Sequence, residues 1–320
     1  MSAVRSPYTK GDFYDSGRIT PGVDNVVSMR DEHEHKAMRA RMAPAYAAKE
    51  NEGFGFEIGI DRQLMNFIRL IDQHYVSTDS DFRPLDLAEK THSQSVVGVK
   101  TVDTDATHSF ARNYADMRLQ PGAKPQKDMM QAFINQGLDR DELIQLVYIH
   151  MIAGTNSAAQ AMRMTLLCLI NNTVAYRRLQ QEIDDAIAAG TISAPITNAE
   201  ALKLPYLQAV IHEGLRFYPP VTGLGFKQAP ESGDMLNGYF VPGGTQIGQN
   251  FFGVGRSLWV WGPDADVFRP ERWLSADKNK LREMNAALDT HFGHGKYSCL
   301  GKPIAMMELN KVFVEVSNPV

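Results

Sequence analysis

Cys299 sits in the run Phe292-Gly293-His294-Gly295-Lys296-Tyr297-Ser298-Cys299-Leu300-Gly301 and is one of two cysteines among 320 residues. Gly293, Gly295 and Gly301 let the backbone turn tightly around the sulfur, and a helix is predicted from Pro303 onward. A lone thiol leading into a helix N-terminus lies at the positive end of a dipole that favours its charged form. Such a thiolate is suited to ligating a metal centre. The second cysteine, in Leu166-Leu167-Cys168-Leu169, reads as a buried core thiol.

Three other groups of residues could carry chemistry. Glu213 and Arg216 stand three apart on one predicted helix face and can pair, although an ordinary exposed ion pair explains them equally simply. Downstream, Phe268-Arg269-Pro270-Glu271-Arg272-Trp273 supplies further guanidinium groups. The stretch Ala153-Gly154-Thr155-Asn156-Ser157 puts poor helix formers in the middle of a long helical pattern, and a plain Gly/Ser kink is the competing reading. His35 and Arg39 lie one helical turn apart, where a solvated basic helix is the alternative. His33 and His35 as ligands of a bare ion lack a carboxylate or cysteine at matching spacing. Gly295-Lys296 is not a phosphate loop, because Tyr297 replaces Ser/Thr and Thr290 stands where the first glycine belongs.

The elements that must hold these residues are mostly helical. Helices are predicted at about 31–48, 57–75, 139–172, 174–189 and 205–218, with Pro44 shortening or kinking the first. The second repeats Ile60, Leu64, Phe67, Ile68 and Ile71 at helical spacing. Residues 93–127 are polar, contain Pro121, Gly122 and Pro125, and read as irregular. Short strands are expected at Gly238–Val241 and Thr245–Gly248, around the turn Pro242-Gly243-Gly244.

At 43% hydrophobic and 22% charged residues the chain is globular. A net charge of −4 gives no footprint for nucleic acid. Two distant cysteines exclude a disulfide scaffold and fit a reducing compartment. No apolar run serves as a signal peptide or membrane span, so the chain reads as cytoplasmic.

The pattern F-x-x-G-x-x-x-C-x-G at Phe292–Gly301, with Glu213-x-x-Arg216 and the later Arg272, resembles the cytochrome P450 family. Phe13-Tyr14-Asp15 through Ala43-Pro44-Ala45-Tyr46 further resembles its fungal pisatin-demethylase-like group. The resemblance implies a mainly α P450 fold with a small sheet, here one partial domain. Residues 13–92 would be its C/D-helix region, 93–127 a shortened segment, and 128–316 the part from the I helix to the haem loop and the start of the L helix. The implied cofactor is haem b, with Cys299 as axial ligand, Phe292, Gly295 and Gly301 shaping its loop, and His35 and Arg39 on the propionates. Glu213, Arg216 and Arg272 would form a buried scaffold triad. Gly154, Asn156 and Ser157 would shape the oxygen pocket, and Ala153 and Val221–Leu224 would face substrate.

By the same resemblance the expected reaction is monooxygenation of a small apolar organic substrate in fungal secondary metabolism, with NADPH-cytochrome P450 reductase as electron donor. The family is usually anchored to the endoplasmic reticulum facing the cytoplasm. Asn156 stands where the family carries an acid, and an amide cannot relay a proton as a carboxyl does. Tyr297 stands where an arginine is usual, with Lys296 beside it as a partial substitute. Family chains are longer, with roofing helices between residues 92 and 128 and a final pocket hairpin. Two alternatives therefore stay open: an oxygen-independent or peroxide-driven isomerase or dehydratase of P450 type, and a non-catalytic truncated remnant.

Overall fold

The computed structural model describes residues 6–20, 22–46, 56–86 and 104–317. Its longer helices are α1 (Glu32–Tyr46), α2 (Phe56–His74), α3 (Thr104–Leu119), α4 (Met129–Asn135), α5 (Arg140–Asn171), α6 (Thr173–Ala188), α7 (Pro205–Phe217), α8 (Lys278–Asp289) and α9 (Lys302–Ser317). Four short strands complete it: β1 (Leu224–Gln228), β2 (Asp234–Leu236), β3 (Tyr239–Val241) and β4 (Gln246–Asn250). The fold is mainly α, as the sequence pattern indicated.

Helix α5 organises the molecule. Asp139 and Glu142 close a reciprocal capping box at its start, with both backbone-to-carboxylate bonds at 2.9 Å. Its 32 residues extend about 48 Å. The C-terminal half packs with α6, α7 and α9 into one core containing Leu179, Ile183, Leu207, Ile211 and Phe313. The N-terminal half packs with α1, α3 and α4 into a second, around Met42, Phe133, Leu143 and Leu146. Gly214 permits the closest approach of α7 to α5, since a Cβ there would stand 2.0 Å from Thr165 Oγ1. The helix runs unbroken through Ala153–Ser157, so the expected interruption is absent. Ser157 stays helical by donating its hydroxyl to the Ala153 carbonyl at 2.7 Å.

Two further expectations are corrected. Residues 104–119, read as irregular, form α3, whose Ala111 and Ala115 are fully buried and let it lie close to α5. Alanine adds little to a hydrophobic pattern, so this face was hidden. Of the remainder of that segment, 120–127 has no helix or strand, as expected, and 93–103 lies outside the described residues. The strands after α7 also number four, and β3 does not pair with β4. Asn237 (φ 52°) and Gly238 (φ 84°) make a two-residue turn of the kind that joins β2 to β3, whereas β4 pairs antiparallel with β1, Leu224 opposite Asn250. Pro242-Gly243-Gly244 passes from one two-stranded sheet to the other.

The C-terminal core contains a buried ion cluster. Arg216 grips Glu213 with Nε at 2.9 Å and Nη2 at 2.7 Å, and Arg272 Nε donates to Glu213 Oε1 at 3.0 Å. Arg216 also donates to the carbonyls of Gly255, Ala265 and Val267 at 2.6–2.9 Å. Arg272 donates to those of Trp261, Asp264 and Val267 and to Asp264 Oδ1 at 3.0–3.1 Å. Removing one partner from such a cluster strands a buried charge, which costs about 3–5 kcal/mol. Arg216→Met is therefore expected to lower unfolding free energy by about that amount, measured by urea denaturation. Arg216→Lys should recover little of it, because an ammonium cannot reproduce the forked geometry.

Candidate active site

The Cys299 loop is built by turns in series. Residues Thr290–Phe292 and Gly295–Tyr297 each form a 3-10 turn, joined through Gly293 at φ 70° and Gly295 at φ 59°. The Cys299 amide donates to the Phe292 carbonyl at 2.6 Å, closing the loop on itself. A Cβ on Gly293 would stand 2.7 Å from the Tyr297 carbonyl oxygen, so this position requires glycine for space as well as conformation. At Gly301 a Cβ would meet only Cys299 Sγ, at 3.7 Å. Helix α9 follows at once, and Ala305 N bonds to Gly301 O at 2.9 Å.

Cys299 is exposed, while Cys168 is buried and its thiol is pushed up to about 11 by burial, then by the Glu213 charge. Only Cys299 is therefore placed to act as an accessible thiolate. Helix α1 supplies its surroundings from a stripe of His35, Arg39 and Tyr46. Arg39 lies within electrostatic reach of the sulfur, and its Nη2 is 3.5 Å from Ser298 Oγ. Burial lowers the Arg39 pKa, and a Cys299 thiolate would oppose that shift. Tyr46 also feels Cys299, and its hydroxyl donates to His150 Nε2 on α5, whose Nδ1–H is satisfied by the Leu146 carbonyl. That contact joins α1 to α5 beside the loop.

The positive charge here was only partly legible. The spacing of His35 and Arg39 marks them, but two lysines complete the cluster, Lys10 buried and Lys227 half-buried. Lys10 precedes a 3-10 turn at Asp12–Gly17, and Lys227 lies on β1. Burial, then each other's company and that of Arg39, holds Lys10 down to about 7; burial holds Lys227 down to about 8. His35, 5.4 Å from the Tyr297 ring, is held at about 4 by burial and then by Lys10 and Arg39, and so is neutral at pH 7. Nothing local in sequence marks Lys10 or Lys227; only tertiary pairing of residue 9 with residue 228 brings them together. Lys296 is not free to take an outside anion, because it pairs with Glu32 at 2.8 Å, and Tyr297 donates its hydroxyl to the same carboxylate.

On α5, Ala153 and Gly154 are exposed, Asn156 and Ser157 are half-buried, and Thr155 turns into the core. A Cβ on Gly154 would meet nothing within 4 Å, so the helix borders open space there. Ile149 and Ile152, from the adjoining turn, pack on the same core cluster as Leu300, the neighbour of Cys299. Helix α5 and the thiolate loop thus share that core cluster. Val221, exposed, leads into β1. Glu213, Arg216 and Arg272 belong to the C-terminal core rather than to this surface. Among the described residues no group of three or more His, Cys, Asp or Glu could hold a bare metal ion, which leaves the His33/His35 reading without partners.

A tight loop presenting one accessible cysteine, backed by a buried Glu-Arg-Arg cluster and faced by a long helix, defines a member of the cytochrome P450 family. The chain belongs to that family, whose model matches residues 53–316. It is 34% identical, over 99% of its length and 74% of the relative's, to cytochrome P450 monooxygenase ABA1 of Pyricularia oryzae. It is 32% identical over 99% of its length to monooxygenase aba1 of Botryotinia fuckeliana, covering 74% of that protein. A third fungal relative, monooxygenase cicH of Emericella nidulans, is 27% identical over 96% of this chain and 73% of its own. The alignment with ABA1 spans 379 positions against 320 residues here, so that relative carries segments with no counterpart in this chain.

The family implies a haem cofactor, and the donor set fits one. An accessible thiol lies within electrostatic reach of Arg39, and among the described residues no carboxylate pairs with buried Lys10 or half-buried Lys227, a balance that suits an acidic ligand edge. The loop geometry makes its own demand. Gly293→Ala should cost about 1–3 kcal/mol through the positive φ and the contact with the Tyr297 carbonyl, measured as a drop in urea midpoint.

Proposed function

We propose that this chain is a haem-thiolate monooxygenase that inserts one oxygen atom into a small apolar organic substrate of fungal secondary metabolism. Its electrons would come from NADPH-cytochrome P450 reductase. The observation that carries this reading is the single accessible cysteine on a closed glycine loop, with Arg39 electrostatically coupled to it. Iron protoporphyrin IX, held through the Cys299 sulfur, would supply activation of dioxygen, to which a thiolate donor contributes.

The residues divide that work by position. Arg39 and His35 would hold the cofactor's carboxylates, Arg39 by its charge and a neutral His35 through a ring N–H. Phe292 receives the Cys299 amide on its carbonyl, while Gly295 and Gly301 keep side chains away from the loop. Ala153 and Gly154 leave room beside α5, and Val221–Leu224 would border the substrate from the opposite end. Ser157 must turn its hydroxyl away from Ala153 O to donate to anything bound there.

Binding of added haem to the purified chain should give a thiolate-type absorption band after reduction and CO addition, and Cys299→Ala should abolish it. An unchanged band in the variant would remove Cys299 from the site. A second reading, peroxide-driven or oxygen-independent chemistry, is favoured by Asn156, which cannot carry a proton to bound oxygen as an acid would. Asn156→Asp separates the two. If the reductase-driven route operates, that substitution raises product formed per NADPH consumed several-fold; if peroxide or rearrangement chemistry operates, product forms without NADPH and its rate is unchanged by the substitution.

A further inference from the structure

We propose, resting on the haem-thiolate reading above for the role of the sulfur, that His291 is a positioning residue for Cys299. Its ring N–H donates to the Leu215 carbonyl at the end of α7 and so fixes the thiolate loop against that helix.

The need for a donor is written in the sequence. In an α-helix each carbonyl is served by the amide four residues on, and the last turn must find its partners elsewhere. Residues 219 and 220 are both proline, so the carbonyls of Leu215 and Arg216 have no such amide even where the chain continues. The Tyr218 amide goes to Gly214 at 2.9 Å. Arg256 reaches back from beyond β4 to supply the Phe217 carbonyl. Gly255 lies against the Arg216 carbonyl, where a Cβ would stand 2.2 Å from the oxygen. Leu215 is buried, and among the described residues no backbone amide or other side chain serves its carbonyl. A buried carbonyl left in that condition is costly.

His291 has the matching deficit. Both of its ring nitrogens are buried, and neither completes a hydrogen bond as the side chain stands. Burial holds its pKa down to about 4, against the upward pull of the Phe251 and Leu215 carbonyls beside the ring. At pH 7 the ring is therefore neutral, with one N–H to place. The Phe251 carbonyl already receives the Gly255 amide at 3.1 Å, so Leu215 is the acceptor still without a donor. Turning the ring about its Cβ–Cγ bond aims an N–H at that oxygen and leaves the backbone where it is.

The ring stands between two parts of the site. Phe251 meets it edge-on, with centroids 6.0 Å apart and planes at 90°. Phe251 in turn lies over β1, where a Cβ on Gly225 would stand 2.7 Å from its Cζ. His291 is the middle residue of the turn Thr290–Phe292, and the next carbonyl, that of Phe292, receives the Cys299 amide at 2.6 Å. A bond from His291 to α7 therefore acts one residue away from the contact that closes the loop. On the other side, Pro219 and Pro220 carry the chain from α7 into 221–224, the stretch assigned to substrate. The same helix end thus sets the place of the sulfur and of the substrate-bordering stretch.

The test compares the full wild-type chain with His291→Leu, His291→Asn and His291→Gln. The Asn amide reaches the place of Nδ1 and the Gln amide that of Nε2, so one of them replaces the donor whichever nitrogen carries the proton. Hydrogen exchange of the Cys299 amide, read on the cofactor-free chain, reports local opening of the loop. His291→Leu should speed it about 10-fold, the equivalent of one buried hydrogen bond, while amides of α5 and α9 keep their wild-type rates. With haem added, the same variant should give a smaller share of the thiolate-type band per haem bound after reduction and CO addition. Either His291→Asn or His291→Gln should restore both readings. Wild-type exchange in His291→Leu, or restoration by neither amide variant, overturns the proposal and leaves the haem reading intact. Faster exchange throughout α5 and α9 also overturns it, because His291 then serves general packing. A wild-type chain without a thiolate-type band overturns the haem reading, and the exchange rates, measured without cofactor, still decide the role of His291.

Discussion

The carboxylate of Glu213 has no exposure to solvent and receives five N–H donors: two from Arg216, one from Arg272, the Arg269 amide and the Trp273 indole. Each guanidinium in turn places all five of its N–H groups, the remainder going to backbone carbonyls between residues 255 and 267 and to Asp264. Burying three charges is tolerable only when every donor and acceptor is met. That condition fixes a stretch with little regular structure of its own, residues 255–270, against α7. Helix α7 then packs, through Val210, Ile211 and Leu215, in the same core as Leu309, Val312 and Phe313 of α9. The thiolate loop leads directly into α9, so its position derives from this cluster.

The two charge clusters of the molecule are built on opposite terms. Around Glu213 every partner is present and the arrangement is closed. Around Tyr297, Lys10, Lys227, His35 and Arg39 converge with Glu32 already engaged by Lys296. The first set is buried throughout; in the second Lys10 and His35 are buried, while Arg39 and Lys227 are half-buried. A saturated cluster serves as scaffold, since nothing further can be gained by binding there. An unsaturated one leaves like charges close together with few counter-charges, which is unfavourable in the unliganded chain. The second helix boundary shows a third case: Lys311, fully buried on α9, pairs with Glu57 at 2.8 Å and Asp61 at 2.9 Å and so ties α9 to α2.

Legibility in the sequence followed the range of the interactions involved. The helices at 31–48, 57–75, 139–172 and 205–218 were readable within one or two residues at most boundaries, because periodicity and capping are local signals. Helix α3 was not, because its buried stripe consists of Thr107, Ala111, Ala115 and Arg118, and a stripe of small and charged residues resembles a polar loop. Gly293 and Cys299 could be placed on a turn from residue types alone. Lys10 could not, since its significance arises from a bridge between residues 219 positions apart in sequence (228 − 9). Asn237-Gly238 carried a clear hairpin signal that the Pro242-Gly243-Gly244 run obscured.

Helix α5 shows how one element can be both scaffold and wall. Its two halves belong to different cores, and between them Ala153 and Gly154 are exposed, with open space beside Gly154. Thr155 remains buried, holding the opposite side to the core. Ser157 satisfies its hydroxyl on Ala153 O, an internal bond that keeps the helix intact without a neighbour. Tyr46 and His150, with ring centroids 5.5 Å apart, close the upper end against α1. A helix supported along one side by Met151, Thr155, Ala158 and Ala159 can present a small, smooth surface at Gly154 on the other without losing its course. That surface lies along the same stripe, one turn from His150 and one from Ser157, where the spacing of 150, 154 and 157 keeps all three on a single face.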